Sequence, residues 1–285
     1  KDSEWNLVAV GQSGLGLGER DYYLSDDAQN KRVLEAYKQY LKKLFTLTGA
    51  DEATAEKKTR AVIAIETEIA KASYDKVKQR DIDANYHKMT YTQLISDFPG
   101  IDWGNVFLAS GFPAFDYVDV GQPEPIHAVE RILAETPLDD LKTYAEAKVI
   151  SGATSKLSDD FRKASFELRK AMVGSKQDQP RWKRAVAVVS DRLGEAIGKM
   201  YVERYFPESS KKRMLELVRN LQTALAQRID EATWMGDATK AQAKDKLSNF
   251  IVKISRQVEK LRRLAGQRQP FALREPVQHL SLGHR

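Results

Sequence analysis

The sequence predicts a mostly α-helical protein, and three observations carry that reading. Apolar residues recur at three- and four-residue intervals along most of its 285 positions. The periodic stretches are bounded by Gly, Pro, Ser and Asp where helices start and stop. The composition, 42% hydrophobic and 30% charged, is that of a soluble folded chain. The expected architecture is a multi-helix domain with a short strand and turn at its N-terminus and minor irregular β-structure in the middle.

Taken in order, Trp5 to Val10 reads as a short strand leading into a glycine-rich turn. Val33, Leu34, Tyr37, Tyr40, Leu41, Leu44 and Phe45 then follow helical spacing. Gly49 stops that helix, and Asp51 caps a second one carrying Val62, Ile65, Ile69 and Ala72 on one face. The short connection predicts an antiparallel hairpin. Phe98-Pro99-Gly100 and Gly111-Phe112-Pro113 interrupt the middle, and Tyr117 to Val120 alternates like a brief strand. Helices resume near Ile126–Glu135, Leu138–Ile150 and Asp159–Val173.

Three long helices follow. The first spans Arg181 to Tyr205, with Ala185, Val189, Leu193, Ile197 and Met200 in register. Ser209 caps the second, which aligns Met214, Leu217, Leu221, Leu225 and Ile229 and closes at Gly236. The third starts at Asp237 or Thr239 and runs to about Ile254. Gly194 and Gly198, flanked by charges, suggest close helix–helix approach in a soluble helix. Trp182 and Trp234 read as core or interface anchors, and Lys211-Lys212-Arg213 as a solvated helix start.

The glycine turn first suggests a phosphate cradle. Its spacing, Gly14-Leu15-Gly16-Leu17-Gly18, matches neither dinucleotide nor Walker patterns, and Glu19 and Asp21 would repel an anion. A packed turn is the better reading: leucines plug the core and tyrosines cover it. Arg20 and Asp21 are expected to make ion pairs or backbone hydrogen bonds within that turn.

Other chemistry is sparse. His87, His127, His279 and His284 form no His-Glu-x-x-His, so they read as surface residues. The members of a Ser–His–Asp triad lie far apart in sequence, so spacing does not test for one, but no nucleophile-elbow pattern is present. Without cysteine the chain has neither disulfides nor thiol chemistry. No run of apolar residues is long enough to cross a membrane as a helix, and no signal peptide is visible. Because the chain starts at Lys1, an anchor or leader is expected to lie outside it. On residues alone, two classes remain: a helical portion of a larger enzyme, or a non-catalytic helical binding module with a basic tail.

A set of ordered motifs separates the two. Gly14, Gly16, Arg20, Asp21, Tyr22 and Tyr23 lie in a block that resembles the glycine-leucine, Arg-Asp-Tyr-Tyr signature of the neprilysin/endothelin-converting-enzyme family of zinc metallopeptidases. Arg181 and Trp182 open a second similar block, which continues through Leu193 to Val202 and Phe206. Trp234, Met235 and Thr239 belong to a third, with Lys240, Ala243 and Lys246. One departure is Gly236, where the family has an acidic residue; Asp237 follows one position later.

The resemblance covers about residues 1 to 254. It implies the helical domain that caps the catalytic cavity and restricts access to small peptides. It also implies zinc in the intact enzyme, peptide substrates held by a catalytic domain absent here, no nucleic-acid partner and an extracytoplasmic location. The family's zinc-binding helix, later glutamate and transition-state histidine have no counterpart, so no catalytic, cofactor or metal residue is assigned to this chain, and no zinc is expected to bind it. As given, the chain is expected to be inactive alone. The domain reading is a strand and turn over 1–25, a cap domain over 26–254 and an aberrant basic tail over 255–285.

The tail holds seven Lys and Arg against two Asp and Glu, nearly all of the chain's net charge of +6. It lacks the Pro-Asp-Lys-Trp-Arg-like stretch with which the family continues. Yet Ser255 to Arg262, written as TCC CGA CAA GTG GAG AAA CTA CGG, reads Pro-Asp-Lys-Trp-Arg-Asn-Tyr one base later. The tail is therefore expected to be a frameshifted reading of the true continuation; the alternative is a genuine basic tail for nucleic acid or membranes.

Overall fold

A computed structural model describes residues 6–252 and 254. The tail, with the frameshift expectation attached to it, lies outside the described residues, as do Trp5 and the C-terminal histidines. The chain divides into two compact units, Lys1–Asp178 and Gln179–Arg285.

In the first unit, β1 (Val8–Val10) leads through the glycine turn to the single-turn helix α1 (Asp21–Leu24). Helix α2 (Ala28–Leu47) begins where the Asp27 carboxylate accepts from the Gln29 and Asn30 amides, satisfying donors a helix start leaves open. Gly49, at φ 101°, turns the chain out of it. Asp51 then caps α3 (Glu52–Ala72) by accepting from the Thr54 amide, as the sequence predicts. α2 buries Val33, Tyr37, Tyr40, Leu41, Leu44 and Phe45; α3 buries Val62, Ile65 and Ile69. Each such side chain contributes about 1.5–3 kcal/mol. The helix Leu138–Ala153 closes this core with Ala147 and Ile150.

The middle is more ordered than expected. Besides the anticipated strand, here β3 (Tyr117–Val120), it contains β2 (Lys88–Thr90), α4 (Tyr91–Asp97) and α5 (Trp103–Ala109). A capping box starts α4: the Thr90 hydroxyl accepts from the Gln93 amide while the Gln93 side chain accepts from the Thr90 amide. The sheet order is β1-β3-β2, with β1 parallel and β2 antiparallel to β3. Val8 lies opposite Val118 and Val10 opposite Val120. Leu94, Phe98, Trp103, Phe107 and Ile126 pack with Val118 and Val120 into a second core.

Three helices complete the unit: α6 (Pro123–Glu135), α7 (Leu138–Ala153) and α8 (Asp159–Val173). α8 lies along α2.

The second unit contains α9 (Arg181–Tyr205), α10 (Glu208–Glu231) and α11 (Asp237–Ser248). Three boundaries differ from expectation. α10 starts after Pro207, not at Ser209, because proline fits a helix entrance where no amide partner is needed. It ends at Glu231, leaving Gly236 as the N-cap of α11. α11 stops at Ser248, where the Asn249 side chain bonds back to the Asp245 carbonyl.

Candidate functional site

The chain's most concentrated polar chemistry surrounds Glu66. It sits on the apolar face of α3, one turn beyond Val62, and is fully buried. A buried carboxylate is costly unless its oxygens are bonded. One oxygen, Oε1, accepts from the Gly16 amide at 3.2 Å and the Tyr37 hydroxyl at 3.1 Å. The Lys148 ammonium of α7 donates to the same oxygen. Oε2 accepts from the Tyr23 hydroxyl at 2.7 Å. Glu66 therefore ties the glycine turn, α1, α2 and α7 to α3.

The turn is shaped for this. Gly14 has φ 101°, and its carbonyl accepts from the Tyr144 hydroxyl at 2.7 Å. A Cβ on Gly16 would lie 1.9 Å from the Tyr37 oxygen, so only glycine lets the amide reach the carboxylate. The Leu17 amide donates to the Tyr23 hydroxyl at 3.1 Å, and Leu17 itself is buried in the first core. Burial, reinforced by the Glu66 charge, pushes the Tyr23, Tyr37 and Tyr144 phenols well above their ordinary range. The turn thus holds an anion after all, but one supplied by its own chain.

Of the other signature residues here, Arg20 reaches outside the turn and donates to the Ser73 carbonyl at the end of α3 at 2.6 Å. The expectation of a side-chain partner within the turn is corrected: the guanidinium bonds at a helix end, where backbone carbonyls lack intrahelical partners. Asp21 is exposed in the first turn of α1, and Tyr22 packs against the first core. Gln12 extends the tie: its side chain exchanges hydrogen bonds with the Tyr74 amide and carbonyl, and its amide donates to Gln122.

The second-unit residues stand apart from this cluster in sequence and setting. Arg181 and Trp182 lie exposed in the first turn of α9. Trp234 is 79% exposed between α10 and α11, Met235 is half-buried and Thr239 is exposed. The two tryptophans are therefore not core anchors in this chain. Nothing lies within 4 Å of a Cβ placed on Gly194 or Gly198, so the expected close helix approach is absent among the described residues. Lys212 and Arg213 are solvated, while Lys211 is half-buried.

Glu66, Tyr37, Tyr144 and Lys148 escape motif reading. Their signal was a lone carboxylate on an otherwise apolar helical face, with glycine in a distant turn. The His87 Nδ1 donates to the Val120 carbonyl at 3.0 Å, and His127 pairs with Glu130 at 2.9 Å. His127 also stacks on Phe98, with ring centroids 4.5 Å apart.

A sequence model described as peptidase family M13 matches residues 1–256. The chain belongs to peptidase family M13. Within that family it corresponds to the N-terminal region of the neprilysin-like enzymes. Mouse endothelin-converting enzyme-like 1 is 29% identical over 260 residues, and rat endothelin-converting enzyme 1 is 31% identical over 256. These alignments cover 89% and 86% of this chain but 33% of either relative. The chain thus spans about one third of the curated M13 relatives it matches.

The fold agrees with solved structures. The Mycobacterium tuberculosis zinc metalloprotease Zmp1 in complex with inhibitor is 34% identical with a TM-score of 0.78, covering 85% of this chain and 37% of that one. PepO from Lactobacillus rhamnosis reaches 0.79 at 18% identity, covering 88% of this chain and 40% of that one, a likeness of fold alone. Zinc needs three or more converging His, Asp, Glu or Cys donors. No such group is found among the described residues. No described helix is long and apolar enough to cross a membrane.

Proposed function

We propose that this chain is the helical cap portion of an extracytoplasmic zinc endopeptidase acting on small peptides. The observation that carries the reading is the M13 match over residues 1–256, together with coverage of one third of the relatives' length. The full sequence contains no His-Glu-x-x-His, so the catalytic half is assigned to a continuation beyond Ile254. In the intact enzyme, zinc would polarise the scissile carbonyl and acidify its bound water. This chain's residues would contribute none of that chemistry. Glu66 and its partners hold the wall, and the exposed faces of α9 and α10 supply surface for the catalytic half to cover.

The test is the DNA downstream of the Ile254 codon, followed by expression of the restored frame. A His-Glu-x-x-His in that frame, and chelator-sensitive cleavage of a short peptide by the longer protein but not by residues 1–254, is the expected result. A continuous frame encoding Arg256 to Arg285, with those peptides seen by mass spectrometry, would sink the assignment of a lost continuation. Chelator-sensitive proteolysis by the present chain would sink the claim that it lacks the chemistry.

A further inference from the structure

We infer that α9 is not one rod but two helical segments joined by a hinge at Leu193-Gly194. The backbone departs from helix at Leu193 alone, with φ −123° and ψ 23° inside a 25-residue element. A ψ of that sign turns the local carbonyl away from the helical ladder, which is how a helix kinks without proline. Ser190, Gly194 and Gly198 surround the break, a setting in which kinks recur.

The glycines are the decisive detail. Neither has a positive φ, so neither is needed for an unusual backbone conformation. Neither has an atom within 4 Å of where a Cβ would lie, so neither is needed for close packing. Glycine in a helix interior nonetheless weakens it relative to alanine, through the extra freedom of the unfolded backbone. What the two glycines supply at this spot is softness.

The surroundings allow it to be used. No residue of α9 is buried. Trp182, Val186, Val189 and Leu193 lie exposed before or at the break, and Met200, Tyr201 and Tyr205 beyond it. The second segment has its own internal order, because the Tyr201 and Tyr205 rings pack at 5.3 Å. It runs directly through Phe206-Pro207 into α10, whose C-terminal part packs with α11. Bending at Leu193 would therefore carry Gly194–Tyr205 and the entrance of α10 relative to Arg181–Arg192. Hinges of this kind are a few residues that absorb the φ and ψ change between two otherwise rigid segments. The inference stands on α9 itself and does not depend on the peptidase reading.

The absence of cysteine makes the test direct, since introduced thiols would be the only ones. Spin labels at Lys183→Cys and Arg204→Cys would straddle the break, and labels at Ser209→Cys and Gln227→Cys would report an unbroken stretch of α10. A broad or two-component distance distribution across α9, a narrow one along α10, and narrowing of the first in Gly194→Ala/Gly198→Ala is the expected outcome. Amide exchange at residues 193–198 should be roughly tenfold faster than in residues 184–190, and should slow in the double variant. A distribution across α9 as narrow as that along α10, or one unchanged by the two alanines, would overturn the hinge. Both alanines favour helix, so loss of folding does not confuse the result.

Discussion

α2 and α10 carry the same kind of apolar spacing, yet they meet different fates. α2 buries Val33, Tyr37, Leu41, Leu44 and Phe45 almost completely. α10 aligns Met214, Leu217, Leu221 and Leu225 just as regularly, and these stay 42–61% exposed. Among the described residues of the second unit only Ile229 and Leu247 are buried hydrophobics. A helical period states which face seeks cover; it does not state that the cover lies in the same chain. The first unit carries its cover with it. The second leaves a row of apolar side chains along α10 exposed.

The contrast is sharpest in its effect on truncation. Phe45→Ala should cost about 3–5 kcal/mol, whereas Leu221→Ala should change stability by no more than ~0.5 kcal/mol. Chemical denaturation of both variants measures this, and equal costs would remove the distinction. Leu221→Glu should also reduce self-association in size-exclusion chromatography, because it breaks the exposed stripe.

Next in size is Glu66. Glu66→Ala leaves Lys148 and two tyrosine hydroxyls without their acceptor. Breaking a buried pair costs about 3–5 kcal/mol, and the partly exposed Lys148 places this one near the lower end. Glu66→Gln, which keeps the shape and part of the bonding, should cost less. A Glu66→Ala protein as stable as the parent would show that the turn is held by packing alone.

Alkaline pH divides the units a third way. The raised Tyr23, Tyr37 and Tyr144 phenols favour the protonated form when folded. Their contribution is complete below the unfolded phenol value of about 10 and declines as pH rises above it, since the unfolded chain ionises first. Stability of the first unit should thus be level up to about pH 10 and fall beyond. Tyr37→Phe should flatten that fall, and a pH titration of denaturation midpoints would show it. A smaller loss than that of Glu66→Ala, about 1 kcal/mol, is expected of Thr90→Ala, which removes one side of the α4 capping box.

Sequence reading captured what long patterns carry. The limits of α9 and of β3 were legible because each combines a full pattern with proline or glycine punctuation. β2 was not, since Lys88-Met89-Thr90 is too short to show alternation and takes its place from pairing with β3. α4 and α5 are seven residues each, about two turns, too few for a period to emerge. The Gly14–Tyr23 block was legible as a motif, but its central partner was not. Glu66 lies 50 residues from Gly16, and Lys148 another 82 from Glu66, so only the fold joins them. Trp182 and Trp234 show the converse: large aromatics signal a contact, yet both stay exposed here, 64% and 79%.

The parallel pairing of β1 with β3 also has a consequence in time. The Gln12 amide bonds to a side chain 110 residues later, and the Gly14 carbonyl to one 130 residues later. Synthesis from N- to C-terminus produces both groups long before either partner exists. The α2–α3 hairpin closes locally and can form first, while the segment that precedes it waits for residues 117–148 to leave the ribosome. The segment from β1 to the glycine turn is thus made before its partners and is among the last parts of its unit to reach its place.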